Sequence, residues 1–394
     1  MRNLSATKVF TLNGDPVVNG FVEVDDEGAI VNIGQLPAGA TPQYNGFLIP
    51  GFVNCHCHLE LSYLKGKFEE ATGMDGFIQQ INEKRTGVEY SERIASIKRE
   101  MENLYREGVS AMGDISNCDE TFPVKAESKV YTRTFIELFG TEPEDTEAIL
   151  EGARKLACEA SALGLDAAPT PHSCYTMSMK LNRLSAAEGL KSGFISYHNQ
   201  ESREENDMIK YGTGALADDY NSRGTTTLPV MGISSLQYFV RNLAKECSLP
   251  VDGHVLLVHN VDTDDESIEE ALRAFKNAYW VLCPLSNIFI HRKLPDIVLL
   301  KKHNLKLCIG TDSLSSNHIL SMIEEIKCLQ NHFREEVTFE ELLRWATLNG
   351  AEALGKENVY GSLEIGKKPG IVLLENVDSD NNHITNLTTS KRLV

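Results

Sequence analysis

Residues 50–60 read PGFVNCHCHLE, and this stretch decides the fold. An apolar run after a Pro-Gly turn predicts a strand, and side chains two positions apart on a strand lie on the same face. His56 and His58 therefore point to one side of the strand, and Cys55 and Cys57 point to the other. Two converging imidazoles at a strand end make half of a metal site, a better fit than two core histidines with a packing role. A site built on the two cysteines would need the opposite register.

Similar short β-branched runs recur along the chain, and amphipathic helical stretches lie between them. Several of these runs are apolar almost throughout, which is typical of strands covered on both faces. Eight strands alternating with helices predict an α/β fold, a (β/α)8 TIM-like barrel. The predicted strands are Phe47–His58, Val109–Ile115, Val130–Phe139, Leu165–His172, Phe194–His198, His254–Asn260, Tyr279–Cys283 and Leu307–Asp312. The predicted helices include Tyr90–Glu107, Glu144–Leu163, Leu236–Cys247, Asp265–Lys276 and Met322–His332.

The two ends of the chain differ from this pattern. They show short alternating strands separated by turn signals, without the intervening helices. We expect both termini, residues 1–46 plus 356–394, to form one small β-sandwich lobe beside a barrel of residues 47–355. The length of 394 residues fits this division, because a (β/α)8 barrel typically takes about 250 residues.

Composition and charge exclude several classes of protein. Hydrophobic residues make up 42% of the chain and charged residues 24%, which is ordinary for a globular protein and unlike a disordered one. The 38 basic and 56 acidic residues give a net charge of −18. This negative charge repels phosphate backbones and anionic lipid, so neither nucleic acid nor a membrane is an expected partner. There is no secretory signal pattern and no apolar run long enough to span a bilayer. Nine scattered cysteines without a C-x-x-C pair indicate reduced thiols and a cytoplasmic location.

The ends of the predicted strands carry the candidate chemistry, because the active site of such a barrel lies where its strands end. His198 ends the fifth strand and is the predicted third nitrogen ligand, and Glu201, three residues later, is the predicted proton carrier. His259 ends the sixth strand. Asp312 ends the eighth, where a buried carboxylate needs a partner or a metal. We expect Asp312 to be both the fourth ligand and the general base.

Polar residues at two further strand ends are candidates for substrate binding. His172 closes the fourth strand, and Ser286 and Asn287 follow the seventh. The alternatives are a loop histidine and residues that only form or cap a turn. Glu137 on the third strand would suit a two-metal site, but no lysine ends the fourth strand to bridge a second ion.

Taken together, these motifs resemble the amidohydrolase superfamily. PGFVNCHCHLELS is similar to the first-strand metal motif of that superfamily. His198, His259 and the run GTDSLSSN around Asp312 are similar to its motifs on strands five, six and eight. The resemblance spans about residues 45–375, and it is specific as a set.

Within the superfamily the pattern resembles the single-metal branch. That branch contains S-adenosylhomocysteine/adenosine, aminofutalosine and guanine deaminases and triazine hydrolases. TPHSCYTMS and HNQES resemble two motifs of the adenosine-type deaminases. The first motif has Cys174 where a proline is usual, and the second has Asn199-Gln200 in place of the usual pair. These departures from the motifs of the adenosine-type deaminases lie near the expected substrate and do not affect the metal ligands.

The resemblance implies one divalent metal and a small-molecule substrate. Three nitrogens and one oxygen suit zinc, with iron and nickel as alternatives. A homodimer, which is common among look-alike proteins, is one expected assembly. The implied ligands are His56, His58, His198 and Asp312.

The implied reaction is hydrolytic deamination of an N-heterocycle with release of ammonia. The expected target is the 6-amino group of an adenine nucleoside of the adenosine, S-adenosylhomocysteine, methylthioadenosine or aminodeoxyfutalosine type. Asp312 would accept a proton from water, Glu201 would protonate the ring nitrogen beside the attacked carbon, and His259 would stabilise the developing charge. Excursions at residues 61–87 and 202–235 would form a lid and specificity loops.

Two other functions fit the same sequence. The barrel could hydrolyse a cyclic amide or a chloro-triazine with the same metal. It could also be a non-catalytic barrel that serves as a binding protein, although all the expected ligands and proton carriers are present.

Overall fold

The computed structural model describes residues 1–394. The strands are β1 (Arg2–Val9), β2 (Val17–Val24), β3 (Ile30–Gln35), β4 (Tyr44–Pro50), β5 (Phe52–Cys57), β6 (Val109–Ser116), β7 (Tyr131–Leu138), β8 (Asp166–Pro171), β9 (Phe194–Asn199), β10 (Val251–His259), β11 (Phe275–Leu282), β12 (Lys306–Ile309), β13 (Ile371–Asp378) and β14 (His383–Arg392). The helices are α1 (Gly73–Lys84), α2 (Tyr90–Glu107), α3 (Phe122–Glu127), α4 (Thr146–Ala162), α5 (Met179–Lys191), α6 (Arg203–Tyr211), α7 (Ala215–Ser222), α8 (Ser235–Leu243), α9 (Asp265–Ala274), α10 (Pro284–His291), α11 (Ile297–Lys302), α12 (Met322–His332), α13 (Phe339–Ala346) and α14 (Leu348–Ala353). Short 3-10 turns lie at Leu59–Leu64 and Pro143–Asp145.

Eight parallel strands, β5 to β12, form the barrel. They make two ladders of four, β5-β6-β7-β8 and β9-β10-β11-β12, each in sequence order. Backbone hydrogen bonds join the ladders at both seams: the His198 amide donates to the His172 carbonyl at 2.9 Å, and the Thr311 amide donates to the His56 carbonyl at 2.9 Å. Cys57 and Asp312 also form a parallel bridge across the second seam. The predicted (β/α)8 barrel is confirmed, and its strand ends meet at one rim.

The terminal strands form one mixed sheet in the order β14-β13-β4-β1-β2-β3. The expected sandwich is thus a single hydrogen-bonded sheet with two apolar faces. Leu48 and Leu373 pack in the core of the lobe, whereas their neighbours Phe47 and Leu374 pack in the main core shared with the barrel. Alternate side chains of β4 and β13 therefore pack into the two cores, which joins the lobe to the barrel.

The predicted strand Phe47–His58 is two strands in the structure, divided at Gly51. Residues 47–50 pair with β13 in the terminal sheet, and Leu48 lies opposite Leu373. Because β4 is buried on both faces, its sequence is continuously apolar and runs into that of β5 without a visible break. Strand pairing therefore assigns residues 47–50 to the sheet of the lobe. The division into a lobe of 1–46 plus 356–394 and a barrel of 47–355 otherwise stays a prediction.

The seventh barrel strand begins earlier than its sequence indicates. The predicted helix Asp265–Lys276 ends at Ala274, and β11 runs from Phe275 rather than from Tyr279. Phe275 already pairs with Val251 of β10, so ladder formation overrides the local helical pattern.

The two long excursions pack on each other above the rim of the barrel. The first contains α1, and the second contains α6 and α7. The Met74 amide donates to a Glu204 carboxylate oxygen at 2.8 Å, and the Gln79 amide group donates to Asp219 at 3.2 Å. The excursions therefore form one layer over the strand ends.

None of the helices combines the length and the apolar character needed to cross a bilayer. All nine cysteines are free thiols, and six of them are buried. These six behave as small apolar side chains in the core.

Gly51 is expected to tolerate no side chain. A Cβ there would lie 2.0 Å from the Ser110 hydroxyl oxygen and 2.4 Å from the Pro369 carbonyl oxygen. We expect Gly51→Ala to lower the free energy of unfolding by at least about 1–3 kcal/mol through overpacking, measured as a lower midpoint of thermal unfolding. The control is Gly152→Ala, at a solvent-exposed position of α4, because no atom lies within 4 Å of the added Cβ. This variant is expected to raise the free energy of unfolding by about 0.5–1 kcal/mol. A Gly51→Ala protein as stable as the parent would contradict this account of the junction.

Candidate metal centre and active-site pocket

The four predicted metal ligands converge at the rim of the barrel. The Nε2 atom of His58 lies 3.1 Å from Nε2 of His56 and 3.3 Å from Nε2 of His198. The Asp312 Oδ1 atom lies 3.8 Å from Nε2 of His56 and 3.5 Å from Nε2 of His58. All four residues are buried, and their polar atoms face one another.

These separations fit a tetrahedral divalent ion. Zn–N bonds measure about 2.0–2.1 Å, so neighbouring ligand atoms around zinc lie roughly 3.3–3.4 Å apart. Burial lowers the pKa of His56 and His198 well below the usual value, and the neighbouring imidazoles add to this effect. Both rings are therefore neutral, which is the form of imidazole that binds metal. The donor atoms present fit a single divalent ion.

Two serine hydroxyls orient the Asp312 carboxylate. Ser286 and Ser316 donate hydrogen bonds to its Oδ2 atom at 2.6 Å and 2.8 Å. This leaves Oδ1 to face the histidines. Ser286 is a predicted substrate-binding residue, but its side chain is fully buried against Asp312 and does not line the pocket. Its contacts are those of a positioning residue.

Asn287 contacts His259 rather than the pocket. Its side-chain amide nitrogen lies 3.1 Å from Nδ1 of His259. Because an amide N–H donates, Nδ1 accepts and the ring proton is assigned to Nε2. Burial lowers the pKa of His259 well below its usual value, so the ring is neutral. Its Nε2 lacks a protein hydrogen-bond partner and is available to donate into the site. Asn287, also predicted to bind substrate, is fully buried and does not line the pocket, so its contacts are those of a positioning residue.

Glu201 lies beside both His259 and Asp312. Its Oε1 atom is 3.6 Å from Nε2 of His259, and ligand-type atoms of all three residues lie within 4.8 Å of one another. Burial raises the pKa of Glu201 well above its usual value, and the charge of Asp312 adds to the shift. This shift favours the protonated form of the carboxyl group, which is the form that can donate a proton.

A second buried acid, Glu205, holds the backbone that carries Glu201. Its carboxylate accepts the amide N–H groups of Gln200 and Glu201 at 3.0 Å and 2.9 Å. Gln200 has a φ of 46°, an uncommon backbone conformation for a residue other than glycine. Sequence reasoning missed Glu205, although an acid in the first turn of a helix after a strand end is a signal for such backbone contacts.

His172 and Glu137 surround the outer side of His198. The rings of His172 and His198 stack with centroids 4.3 Å apart. Glu137 Oε1 lies 3.4 Å from Nδ1 of His198, so a carboxylate stands beside this candidate ligand, although the two atoms form no hydrogen bond. Glu137 and His172 both line the pocket, so His172 lies where the sequence places it, and its contact with substrate stays a prediction.

One cavity of about 370 Å³ opens onto this centre, a size suited to a small organic ligand. Its inner end is polar and includes Glu201, Asp312, His58 and His198. Its outer part is formed by the two excursions, through apolar side chains of α1 and through Tyr220 of α7. The excursions predicted to carry specificity therefore line the pocket.

Loss of one serine hydroxyl is expected to weaken metal binding. Ser286→Ala removes one of the two donors that orient Asp312, and such outer contacts typically contribute about 10–100-fold in metal affinity or activity. Competitive titration of metal-free protein with zinc measures the effect. The control is Ser185→Ala in α5, because this buried hydroxyl donates only to helix carbonyls. Equal zinc affinity in both variants would show that Ser286 does not orient the ligand.

Comparison with known proteins agrees with this geometry. The model of the amidohydrolase family matches residues 47–393. Aminodeoxyfutalosine deaminase of a Nitratiruptor species is 27% identical over 338 residues, which cover 84% of this chain and 79% of that protein.

Two crystal structures show the same fold. The aminofutalosine deaminase of Helicobacter pylori in complex with methylthio-coformycin has a TM-score of 0.74 at 22% identity and covers 95% of this chain and 92% of that one. An adenosine deaminase from Xanthomonas campestris with bound zinc has a TM-score of 0.73 at 19% identity and covers 95% of this chain and 84% of that one. Because the family model spans most of its length and the barrel carries the expected convergent site, the chain belongs to the amidohydrolase family.

Proposed function

We propose that this protein is a metal-dependent deaminase that hydrolyses the 6-amino group of an adenine nucleoside. The observation that carries the proposal is the position of the buried Glu201 in the pocket, beside His259 and the proposed ligand Asp312, and its raised pKa favours the protonated form. An aromatic ring resists attack by water until a ring nitrogen gains a proton, whereas a simple amide needs no such donor. Glu201 therefore favours an N-heterocycle over a cyclic amide.

His56, His58, His198 and Asp312 would hold the ion. When bound, a divalent ion supplies a nucleophile at neutral pH by lowering the pKa of water from 15.7 to about 7. Zinc is the proposed ion, with iron and nickel as alternatives. Three imidazoles and one carboxylate support this assignment, and a bound zinc is named for the adenosine deaminase of Xanthomonas campestris.

The protein groups then move the protons. Asp312 accepts a proton from the attacking water, and Glu201 donates its own proton to the ring nitrogen beside the attacked carbon. His259 directs its Nε2–H towards the oxygen that adds to that carbon. Asp312 passes the proton it took from water to the amino group, which leaves as ammonia. The new hydroxyl group gives its proton to Glu201, which restores the acid, and the ring carbon keeps the oxygen of water as a carbonyl.

The names of related proteins support an adenine nucleoside as the substrate. Relatives 24–27% identical are named as deaminases of aminodeoxyfutalosine, of adenosine and of 5-methylthioadenosine/S-adenosylhomocysteine. The Helicobacter pylori structure holds methylthio-coformycin. As a member of the same family with these relatives, this chain is a hydrolase that acts on carbon–nitrogen bonds.

Ammonia release from a substrate panel tests the proposal. The panel contains adenosine, S-adenosylhomocysteine, methylthioadenosine, aminodeoxyfutalosine, guanine, a pterin and a chloro-triazine. We expect at least one adenine nucleoside to be deaminated, activity to be lost after chelation, and activity to return with stoichiometric zinc. Turnover of the triazine with no ammonia from any purine would favour the chlorohydrolase alternative. A protein that takes up no divalent ion would favour the binding-protein alternative.

Two substitutions are expected to separate proton transfer from metal binding. Glu201→Gln should keep the metal but reduce kcat by about 10²–10⁴-fold, because general acid catalysis contributes that much. Asp312→Asn should reduce both metal content and kcat, because it changes a ligand. Metal analysis and steady-state kinetics on the same preparations measure both effects. Near-normal kcat in Glu201→Gln would remove this residue from the mechanism.

A further inference from the structure

Two buried asparagines join the ends of strands β9 and β10. Asn199 is the last residue of β9, and Asn260 directly follows β10. The side-chain amide of Asn199 donates to Oδ1 of Asn260 at 2.9 Å, and the two residues are 0% and 1% exposed. Neither belongs to the wall of the active-site pocket, so the pair lies behind that wall.

Asn260 is the fixed member of the pair. Its side-chain amide donates to the Leu257 carbonyl at 2.8 Å and to the Val281 carbonyl at 3.3 Å, which ties it to β10 and β11. Because its amide protons are used in this way, its Oδ1 atom is the acceptor that faces Asn199. Asn199 therefore presents its NH2 group, and this assigns the direction of the bond.

Asn199 has no comparable anchor of its own. Its Oδ1 atom is buried and has no hydrogen-bond partner. A buried acceptor without a partner costs free energy, and an apolar side chain of the same shape would avoid that cost. Stability alone therefore does not explain a polar side chain here, and the bond to Asn260 is what its amide group contributes.

The backbone next to both asparagines is sharply bent. The φ angle is 46° at Gln200, 78° at His259 and 61° at Asn260, and residues other than glycine rarely adopt such positive values. These conformations persist only where surrounding contacts hold them. Here the Asn260 amide donates to the Asn199 carbonyl, and the Asp262 amide donates to the Gln200 carbonyl, both at 3.0 Å. These bonds pair the two bends side by side.

The two bends carry Glu201 and His259. Glu201 directly follows Gln200, and His259 directly precedes Asn260. Oε1 of Glu201 lies 3.6 Å from Nε2 of His259, and neither atom bonds the other. The backbone from which the two side chains extend therefore sets their separation. The position of the Glu201 carboxyl group thus depends on how the end of β9 is held.

A second contact holds this segment at a different point. The Glu205 carboxylate accepts the amides of Gln200 and Glu201, whereas the side chain of Asn199 is bound before the bend. The Cys174 thiol donates to Oε1 of Glu205 at 3.5 Å. Cys174, Asn199 and Gln200 are the positions at which the sequence departs from the deaminase motifs, and all three are buried outside the pocket wall. These departures therefore surround the backbone of Glu201 and do not line the cavity.

We propose that Asn199 is a positioning residue for the proton donor Glu201. Its bond to Asn260 fixes the end of β9, so that the Glu201 carboxyl group reaches the ring nitrogen of the substrate. This inference deepens the proposed function and rests on it, because it concerns the same proton transfer. The preceding residue, His198, is held separately, since its amide donates to the His172 carbonyl at 2.9 Å.

Asn199→Leu tests this role, because leucine has the same branching and no amide. We expect kcat to fall about 10- to 100-fold, since a misplacement of about 1 Å can lower a rate by about 10²-fold. KM and zinc content should stay at the parent values, because Asn199 neither lines the pocket nor belongs to the proposed ligands. Steady-state kinetics on a substrate of the panel and metal analysis measure these quantities. A kcat equal to that of the parent would overturn the proposal.

The matched control is Asn242→Leu. Asn242 on α8 donates through its side-chain amide to Oδ1 of Asn182 on α5 at 3.0 Å. Both residues are buried, Oδ1 of Asn242 also lacks a partner, and neither residue lines the pocket. This variant should unfold at a lower temperature, because its bond to the Met179 carbonyl is lost as well, and kcat per folded protein should not change. An equal fall of kcat in both variants would show a general effect of losing a buried amide and would overturn the proposal.

A double-mutant cycle with Glu201→Gln identifies the group through which Asn199 acts. Asn199→Leu should lower kcat in the parent and have little further effect once the carboxyl group is gone, because residues that act as one unit are not additive. An equal factor in both backgrounds would show that Asn199 acts elsewhere and would contradict the assignment. If Asn199→Leu gives no folded protein, Asn199→Ala removes the amide without added bulk and is taken through the same cycle.

The two proposals fail in different ways. If no adenine nucleoside of the panel releases ammonia, the proposed deaminase function is wrong, and the role of Asn199 is wrong with it. If ammonia is released but kcat does not depend on Asn199, the deaminase function stands and only the positioning role is wrong.

Discussion

The closure of the barrel is the constraint on which the rest of the structure depends. The His198 amide bonds the His172 carbonyl at one seam, and the amides of Thr311 and Asp312 bond the His56 carbonyl at the other. The same residues that close the ring carry the candidate site. Backbone hydrogen bonds therefore set the separations of the imidazoles before any ion binds. A metal centre placed this way is preorganised, because its ligands extend from a rigid rim and not from mobile loops.

Burial of acidic groups is the second physical theme of the site. A buried carboxylate is stable only when it is protonated, hydrogen-bonded or close to a cation. Burial raises the pKa of Glu201 and favours its protonated form, Glu205 accepts two backbone amides, and Asp312 accepts two serine hydroxyls. These environments differ although the side chains are chemically alike, and the difference supports the proposed roles of Glu201 as proton donor and Asp312 as metal ligand. The same division of roles underlies acid–base assignment in enzymes generally.

Sequence reasoning found the strands and the convergent residues, but not the partners that orient them. Period-2 spacing placed His56 and His58 on one face, and each remaining ligand stood at a strand end. Ser286 and Asn287 were predicted to bind substrate, and in the structure they contact Asp312 and His259 instead of lining the cavity; their role towards substrate stays a prediction. A polar residue after a strand can point to the cavity or to the neighbouring strand end. That choice depends on the path of α10. The division of the predicted strand at Gly51 could not be recognised in the sequence. Because β4 is buried on both faces, its apolar run continues directly into β5.

The sequence by itself determined the barrel and the convergence of the candidate site residues, because both follow from local periodicity and from the rule that parallel strands end at one rim. Tertiary structure alone decided which pairs of distant residues meet. It set Arg85 of the first excursion and Arg223 of the second in one pocket wall, more than a hundred positions apart in the chain. No local pattern encodes that shared wall, since it arises from the packing of α1 against α7 above the barrel.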